Sequence, residues 1–323
     1  METKRILLVA GGWSTEREIS LIGARAIERA LTSLGHRVTL FDLKDGFEPL
    51  LDLARRHDAA FLNLHGQPGE DGLVQALLDR AGCPYQGAGP AGSFLALNKA
   101  AAKALFRMAG IRTPRYEFLP TRPGEGWRPS IPFPLFVKSN TGGSSIDLFR
   151  VTDEGDLKNA LDTLFALREE VLVEELIPGR EVTCGVLGRQ GQEQALPPVL
   201  IVPRREFFDY HDKYADNGAD EICPAPLDEE TVSRVQAAAL AAHRCLGLTG
   251  YSRADFRLRD DGELFILEVN TLPGMTSASL VPKEAAAAGL SFGELLESLI
   301  ESAIAGRGGR AAGTFVSDPE FLE

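Results

Sequence analysis

The sequence predicts an α/β chain of three domains, the first an open parallel sheet. Three observations lead there. At 323 residues the chain exceeds what one hydrophobic core normally supports. Through the first hundred residues, short apolar runs alternate with helical periodicities, the pattern of parallel strands joined by crossover helices. From about Arg180 longer β segments take over, so a sheet of another kind follows.

Arg5–Ala10 (RILLVA) reads as a buried parallel strand running into Gly11-Gly12. Ser20–Leu34 places Leu21, Ala24, Ile27, Ala30, Leu31 and Leu34 at helical spacing, with Ser20 as N-cap and Gly35 past the end. Val38–Leu43 and Ala59–Leu64 are further strands, and Leu73–Ala81 is a helix stopped by Gly82. Lys99–Met108 is a helix ended by Gly110, and Thr113-Pro114 begins extended chain. Residues 120–134 (PTRPGEGWRPSIPFP) form a surface loop before the strand Leu135–Lys138. The glycine-rich TGGSS, a strand Ile146–Val151, a helix Leu157–Leu167 and a strand Val171–Leu176 come next. After the β segments stand a helix Glu229–Leu246, the strands Ser252–Leu258 and Leu264–Val269, and a helix Phe292–Ile304. The tail Gly306–Glu323 lacks periodicity and reads as a loose end. The expected domains are 1–98, 99–180 and 181–323.

Composition narrows the function. Apolar residues make up 44% and charged residues 25%, which excludes disordered and collagen-like chains. A net charge of −12 argues against non-specific nucleic-acid binding and against docking on anionic lipid, since both need a basic footprint. A nucleotide can still bind such a protein through a local cationic pocket with a divalent metal. Cys83, Cys184, Cys223 and Cys245 form no C-x-x-C pair, the usage of a reduced compartment. The apolar run in METKRILLVAGG is too short for a signal peptide, and no stretch reaches the ~18 apolar residues of a membrane helix, so a cytoplasmic location is expected.

The most informative segment is Leu264–Asn270 (LFILEVN). Residues two apart on a strand share a face, so Glu268 and Asn270 point together, as do Arg253 and Asp255. If the two strands pair as a hairpin about Asp260-Asp261-Gly262, all four gather on one surface. Two carboxylates and an amide oxygen there suit Mg2+ better than they suit a merely solvated face. Lys138 followed by Ser139–Ser145 offers a cation and a small-residue loop to phosphate, although no Walker A motif exists in the chain. The strand ending at Glu174 and its short link to Glu181 offer carboxylates and backbone groups to an adenine edge and ribose. GGWSTE lacks the G-x-G-x-x-G of a nicotinamide enzyme. His36, His57 and His243 read as structural.

The order of these segments resembles the ATP-grasp enzymes and, within them, the D-alanine–D-alanine ligases. It rests on GGWSTEREISL (Gly11–Leu21), NLHGQPGEDG (Asn63–Gly72), VKSNTGGSS (Val137–Ser145), VEELIPGRE (Val173–Glu181), FFDYHDKY (Phe207–Tyr214), CPAPL (Cys223–Leu227) and LEVNTLPGMTSASLVP (Leu267–Pro282). The resemblance spans the chain to about Ala305 and implies a three-domain ATP-grasp architecture: a substrate-binding N-terminal domain, a central domain with the phosphate loop, and a C-terminal domain with the metal site. It implies that Lys99, Lys138 and Ser145 touch ATP phosphates, that Glu174, Ile177 and Glu181 contact adenine and ribose, and that Lys213 faces the transferred γ-phosphate. Asp255, Glu268 and Asn270 would hold two Mg2+ or Mn2+ ions. Arg253 and the backbone of Gly274 would stabilise the tetrahedral oxyanion. Glu16 would hold the ammonium of the first D-alanine with His65 nearby. Ser144 and Tyr214 would join Glu16 in closing the loops. Ser279 and Leu280 would line the carboxylate site of the second D-alanine. The implied reaction joins two D-alanines through an acyl phosphate for peptidoglycan, in a homodimer, with Ser139–Ser145 and Phe207–Tyr214 as lids.

Five positions depart from the family pattern. Asp147 stands where glycine is usual, Ser139 for proline, Glu175 for lysine, Asn98 for aspartate and Phe208 for tyrosine. Two rival readings are the same fold with another acceptor, such as D-lactate, and a nucleotide-binding regulator without turnover.

Overall fold

A computed structural model describes residues 2–143, 147–189, 191–204 and 219–308. The first layer is a parallel sheet of β1 (Arg5–Ala10), β2 (Arg37–Asp42) and β3 (Ala59–Asn63), in the order β2-β1-β3. Its five central residues Ile6–Ala10 are fully buried, as a strand covered on both faces requires. Helices α1 (Arg17–Ser33), α2 (Phe47–Ala54) and α3 (Leu73–Ala81) connect and flank it. Ser20 is not the N-cap of α1 but lies inside its first turn. Its hydroxyl accepts from Gly11 N (2.8 Å) and donates to the carbonyl of Asn63, so it ties α1 to the ends of β1 and β3. The helix begins three residues earlier than its apolar periodicity suggested, because the first turn faces polar loop atoms.

Helices α4 (Pro90–Leu97) and α5 (Lys99–Met108) lead into an antiparallel sheet of β4 (Tyr116–Leu119), β5 (Leu135–Ser139), β6 (Leu148–Val151) and β7 (Val171–Glu175), ordered β4-β7-β5-β6. α6 (Glu154–Ala166), N-capped by Asp153, covers one face. That face carries Leu135, Val137, Val171 and Val173 in their own apolar core. Alternation sends Lys138 and Glu174 to the opposite face.

A second antiparallel sheet holds β8 (Arg180–Gly188), β9 (Gln194–Ala195), β10 (Val199–Pro203), β11 (Ala219–Ile222), β12 (Gly250–Leu258) and β13 (Leu264–Asn270). α7 (Glu229–Cys245) packs on it through Val235, Ala239 and Ala242. His243 is buried there, with its Nδ1 2.7 Å from Ser252 Oγ, a structural role as expected. α8 (Leu280–Ala287) and α9 (Phe292–Gly308) follow. α9 returns to the first sheet: Leu295, Leu296, Leu299 and Ile300 join the core of β1–β3. Glu297 meets buried His36 at 2.6 Å and Lys4 at 3.2 Å. The short α2, α4 and α8 have no counterpart in the periodicity reading. All four cysteines are free, and among the described residues no helix is long and apolar enough to cross a membrane.

One buried acid joins α8 to β8. Glu284 has no exposure, and its Oε1 accepts from Gly185 N at 2.9 Å. Among the described residues its Oε2 has no hydrogen-bond partner, and it occupies the space a Cβ on residue 185 would need, 2.5 Å away, so only glycine fits there. Burial pushes the Glu284 carboxyl up to about 8 from an ordinary 4.5, against the pull of the Gly185 N–H and Arg253. A folded-state pKa raised in this way gives stability that is complete below 4.5 and lost as pH rises to about 8. Glu284→Gln removes that loss. Its melting temperature should therefore gain on the unmutated protein between pH 5 and 8, by about 3 °C or more, and hold a constant lead above that range. Calorimetry at five pH values checks this; a pH-independent difference refutes it.

Candidate functional site

The site begins where β1 and β3 end, the edge at which open parallel sheets bind ligands. Gly11 turns the chain with a φ of +73°, and a Cβ there would lie 2.3 Å from Asp42 Oδ1. Gly12 N donates to the same oxygen at 3.1 Å, and Arg17 pairs with Asp42. This anchoring sets buried Glu16 at the start of α1. His65 and Glu70 follow β3. Burial draws the His65 pKa below its usual value; Glu16 opposes that and Arg253 adds to it, so the imidazole stays neutral. Burial raises Glu70 to about 7, opposed by its 2.7 Å bond from Gly66 N, and Glu16 and Glu268 add negative charge nearby.

The hairpin of β12 and β13 supplies the next group. Its register sets Arg253 opposite Asn270 and Asp255 opposite Glu268, so the hairpin gathers the four residues on one surface as the sequence suggests. The register then shifts between Asp255 and Phe256, so that Phe256 faces Ile266 and Leu267 is the extra residue of a bulge. Asp255 is held by four hydrogen bonds from three residues. Arg253 reaches it through Nε and Nη2, both at 2.8 Å, Thr183 Oγ1 donates at 2.6 Å, and Asn270 Nδ2 at 3.0 Å. Although burial opposes it, the Asp255 carboxylate raises the pKa of Arg253, which is a permanent cation.

Helix α5 brings two lysines one turn apart. Lys99 lies 3.5 Å from Glu268 and donates to the Gly142 carbonyl, while Lys103 pairs with Glu174. Lys138, diagonal to Glu174 across β5 and β7, pairs with its other oxygen at 2.5 Å. Burial alone would raise Glu174, but the two ammoniums outweigh it and hold the carboxyl low. Burial lowers Lys103 to about 8 against the pull of Glu174; for Lys138 the attraction of Glu174 and Glu268 outweighs burial and raises it. Four cations (Lys99, Lys103, Lys138, Arg253) thus converge on three paired anions (Glu174, Glu268, Asp255), a concentration of basic side chains on a chain of net charge −12.

Ile177 is buried on the link from β7 to β8, where its carbonyl accepts from Arg257 Nε at 3.2 Å. Arg257 also lies 3.6 Å from Glu181, its register partner. After β13, Ser279 Oγ accepts from Thr276 N at 3.0 Å and would stand 3.1 Å from a Cβ on Gly274. Ser279 precedes Leu280, the first residue of α8. Ser144, Ser145, Lys213 and Tyr214, and with them the Phe207–Tyr214 segment and the tail beyond Gly308, lie outside the described residues.

Of the positions that depart from the family pattern, Phe208 lies outside the described residues, and the other four can be placed. Asn98 N-caps α5 by accepting from Ala101 N at 3.0 Å, and it also accepts from Asn140. Ser139 donates to Glu169 at 2.5 Å and accepts from Gly142 N at 2.9 Å. Glu175 pairs with Arg115. Asp147 has a φ of +58°, a backbone state that explains why glycine suits the position and that aspartate tolerates. Sequence reasoning missed Lys103, Thr183 and Glu70. Lys103 had a signal, its i+4 spacing from Lys99 on one helix face; Thr183 had none short of the β8–β12 register.

The profile of the family described as D-ala D-ala ligase C-terminus matches residues 105–301. A D-alanine–D-alanine ligase of Nitratidesulfovibrio vulgaris is 61% identical over 298 residues, covering 92% of this chain and 97% of that protein. The structure of the D-alanine–D-alanine ligase of Bacillus anthracis complexed with ATP superposes with a TM-score of 0.84 at 33% identity, over 96% of this chain and all of that one. The VanG D-Ala:D-Ser ligase of Enterococcus faecalis gives a TM-score of 0.80 at 29% identity, over 94% of this chain and all of that one. The fold is therefore the ATP-grasp architecture expected from the segments, and the chain belongs to the D-alanine–D-alanine ligase family.

Proposed function

We infer that this protein is an ATP-dependent ligase that joins two D-alanines into the dipeptide used for peptidoglycan. The observation that carries the reading is the cationic patch of Lys99, Lys138 and Arg253 beside Asp255 and Glu268, next to the Glu16 end of the parallel sheet. Amide formation in water needs an activated acyl group. The carboxylate of the first D-alanine attacks the γ-phosphorus of ATP, giving an acyl phosphate and ADP. The amine of the second then attacks the acyl carbon, and phosphate leaves. Lys99 and Lys138 take up phosphate charge, and Glu16 holds the first ammonium beside a neutral His65 that adds no competing cation. Arg253 and the Gly274 N–H receive the tetrahedral oxyanion. Ile177 and Glu181 line the adenosine side, while Ser279 and Leu280 at the start of α8 receive the second carboxylate. Ser144, Ser145, Lys213 and Tyr214 complete the loops in this reading.

Asp255 and Glu268 face one another across the hairpin and both reach solvent, so their oxygens, with the amide oxygen of Asn270, fit Mg2+ or Mn2+. Among the described residues no group of three His, Cys, Asp or Glu side chains gathers at metal-binding spacing, and the set reaches three donors only through Asn270. Bound there, the ions would neutralise the phosphate oxygens. A homodimer in the cytoplasm is the setting that the family resemblance supports.

Phosphate release should require D-alanine, with L-alanine and D-lactate giving little, and the product at pH 8 should be the dipeptide. Because an ammonium acceptor must lose a proton before attack, dipeptide formation should rise from pH 6 to 9 whereas any ester should not. A depsipeptide as major product would overturn the assignment, and a D-alanyl-D-serine product would favour the other acceptor class. Glu268→Gln should lower turnover by about a hundredfold or more while melting stays near that of the unmutated protein. Glu16→Gln should raise the KM for the first D-alanine by about tenfold, with the KM for ATP within about twofold. Equal losses for both substrates would make that loop merely structural.

A further inference from the structure

Two ammoniums share the Glu174 carboxylate, one on each oxygen: Lys103 on Oε1 and Lys138 on Oε2. Glu174 is 2% exposed, so it cannot remain charged alone, yet one cation would suffice to balance it. The two lysines are not equivalent. Lys103 has no exposure and donates to Thr113 Oγ1 at 2.9 Å, and that hydroxyl donates to the Ile266 carbonyl of β13 at 2.8 Å. It is tied at once to α5, to the chain leading into β4 and to the hairpin. The Lys138 side chain keeps 13% exposure and stands next to the Ser139–Gly143 segment.

We propose that Lys103 is a positioning residue for the nucleotide base: it keeps Glu174 ionised and in place when Lys138 moves from Glu174 to a phosphate. This rests on the reading of the site as an ATP site. In the structure Lys138 pairs with the carboxylate that the same reading assigns to the adenine edge, so it cannot serve a phosphate without releasing that oxygen. Without Lys103 the release would leave a buried carboxylate unpaired. With it, the freed Oε2 becomes an acceptor-only group. Such a group accepts an N–H from the 6-amino group of adenine and repels the 6-oxo group of hypoxanthine, so Lys103 would act on base choice without touching the base. The low-lying Glu174 carboxyl between its two ammoniums agrees with this.

The test compares the unmutated enzyme with Lys103→Met, measuring KM and kcat for ATP and for ITP, with the apo melting temperature alongside. The KM for ATP should rise by about tenfold or more and the ATP-over-ITP preference should shrink by a similar factor, while kcat at saturation stays within about threefold. A merely structural lysine would lower the melting temperature and leave the ATP/ITP ratio alone. In a Glu174→Gln background, where no charge needs holding, Lys103→Met should change the ratio by less than about twofold. Thr113→Val, which removes the anchor of Lys103 and keeps both charges, should shift the ratio in the same direction by a smaller factor. If Lys103→Met does not fold, Thr113→Val decides. A ratio within twofold of the unmutated enzyme in the deciding variant, or the same change with and without Glu174, overturns the proposal. Failure of the ATP-site reading looks different: the unmutated enzyme would then show no D-alanine-dependent phosphate release and no ADP binding by calorimetry.

Discussion

The site depends on a single register, that of β12 against β13, and on the bulge within it. A strand of period two would put Ile266, Glu268 and Asn270 on one face. In the structure Ile266 and Val269 belong to the same apolar core, three residues apart, which only an extra residue between them permits. Leu267 is that residue. Before the bulge the strand alternates in phase with Phe256 and the core. After it, Glu268 and Asn270 turn to the side of Asp255 and Arg253. Had the pairing continued unbroken, Asp255 would face Leu267 and Arg253 would face Val269. Four polar groups would be dispersed and two aliphatic ones would be left in the cleft.

From that register the electrostatics follow. Asp255 accepts from Arg253, Thr183 and Asn270, so β8, β12 and β13 are pinned together by one carboxylate. Glu268 reaches Lys99 on α5, and α5 carries Lys103 one turn further on to Glu174. Glu268 and buried Glu174 each meet a cation on a different element, so the two antiparallel sheets and the helix between them are coupled by charge as well as by packing. These basic side chains offer a local focus for polyphosphate on a chain whose net charge of −12 otherwise disfavours polyanions.

Much of this was legible in the sequence, and the reasons differ by element. β1, β3, α3, α5 and α7 declare themselves through continuous apolar runs or long helical periodicity closed by Gly82 and Gly110. The hairpin and its four polar residues were readable because period-two alternation survives on the β12 side. The bulge was not, since nothing local distinguishes Leu267 from its neighbours. Ser20 looks like a cap in one dimension and is an interior strut in three, its hydroxyl bridging Gly11 and Asn63. α2, α4 and α8 span only two turns each, too short for periodicity to show. The return of α9 to the first sheet is invisible for another reason: its apolar face is plain, but sequence does not say which sheet it will cover.

The departures from the family pattern show how a chain can change residues around a fixed site. Asn98 still caps α5, so the first turn that carries Lys99 keeps its geometry with an amide in place of a carboxylate. The neutral side chain also leaves no uncompensated anion beside Lys99. Ser139 replaces the rigidity that a ring would provide with two hydrogen bonds, one to Glu169 and one from Gly142 N, at the base of the small-residue loop. Glu175 inverts a charge, yet it does so on the side of β7 opposite Glu174, where Arg115 answers it. In each case the compensation is made outside the cleft. Only groups whose charged partners lie in other elements, such as Glu268 and Glu174, lack that freedom, because changing them would leave a cation on a neighbouring helix or strand without its balance.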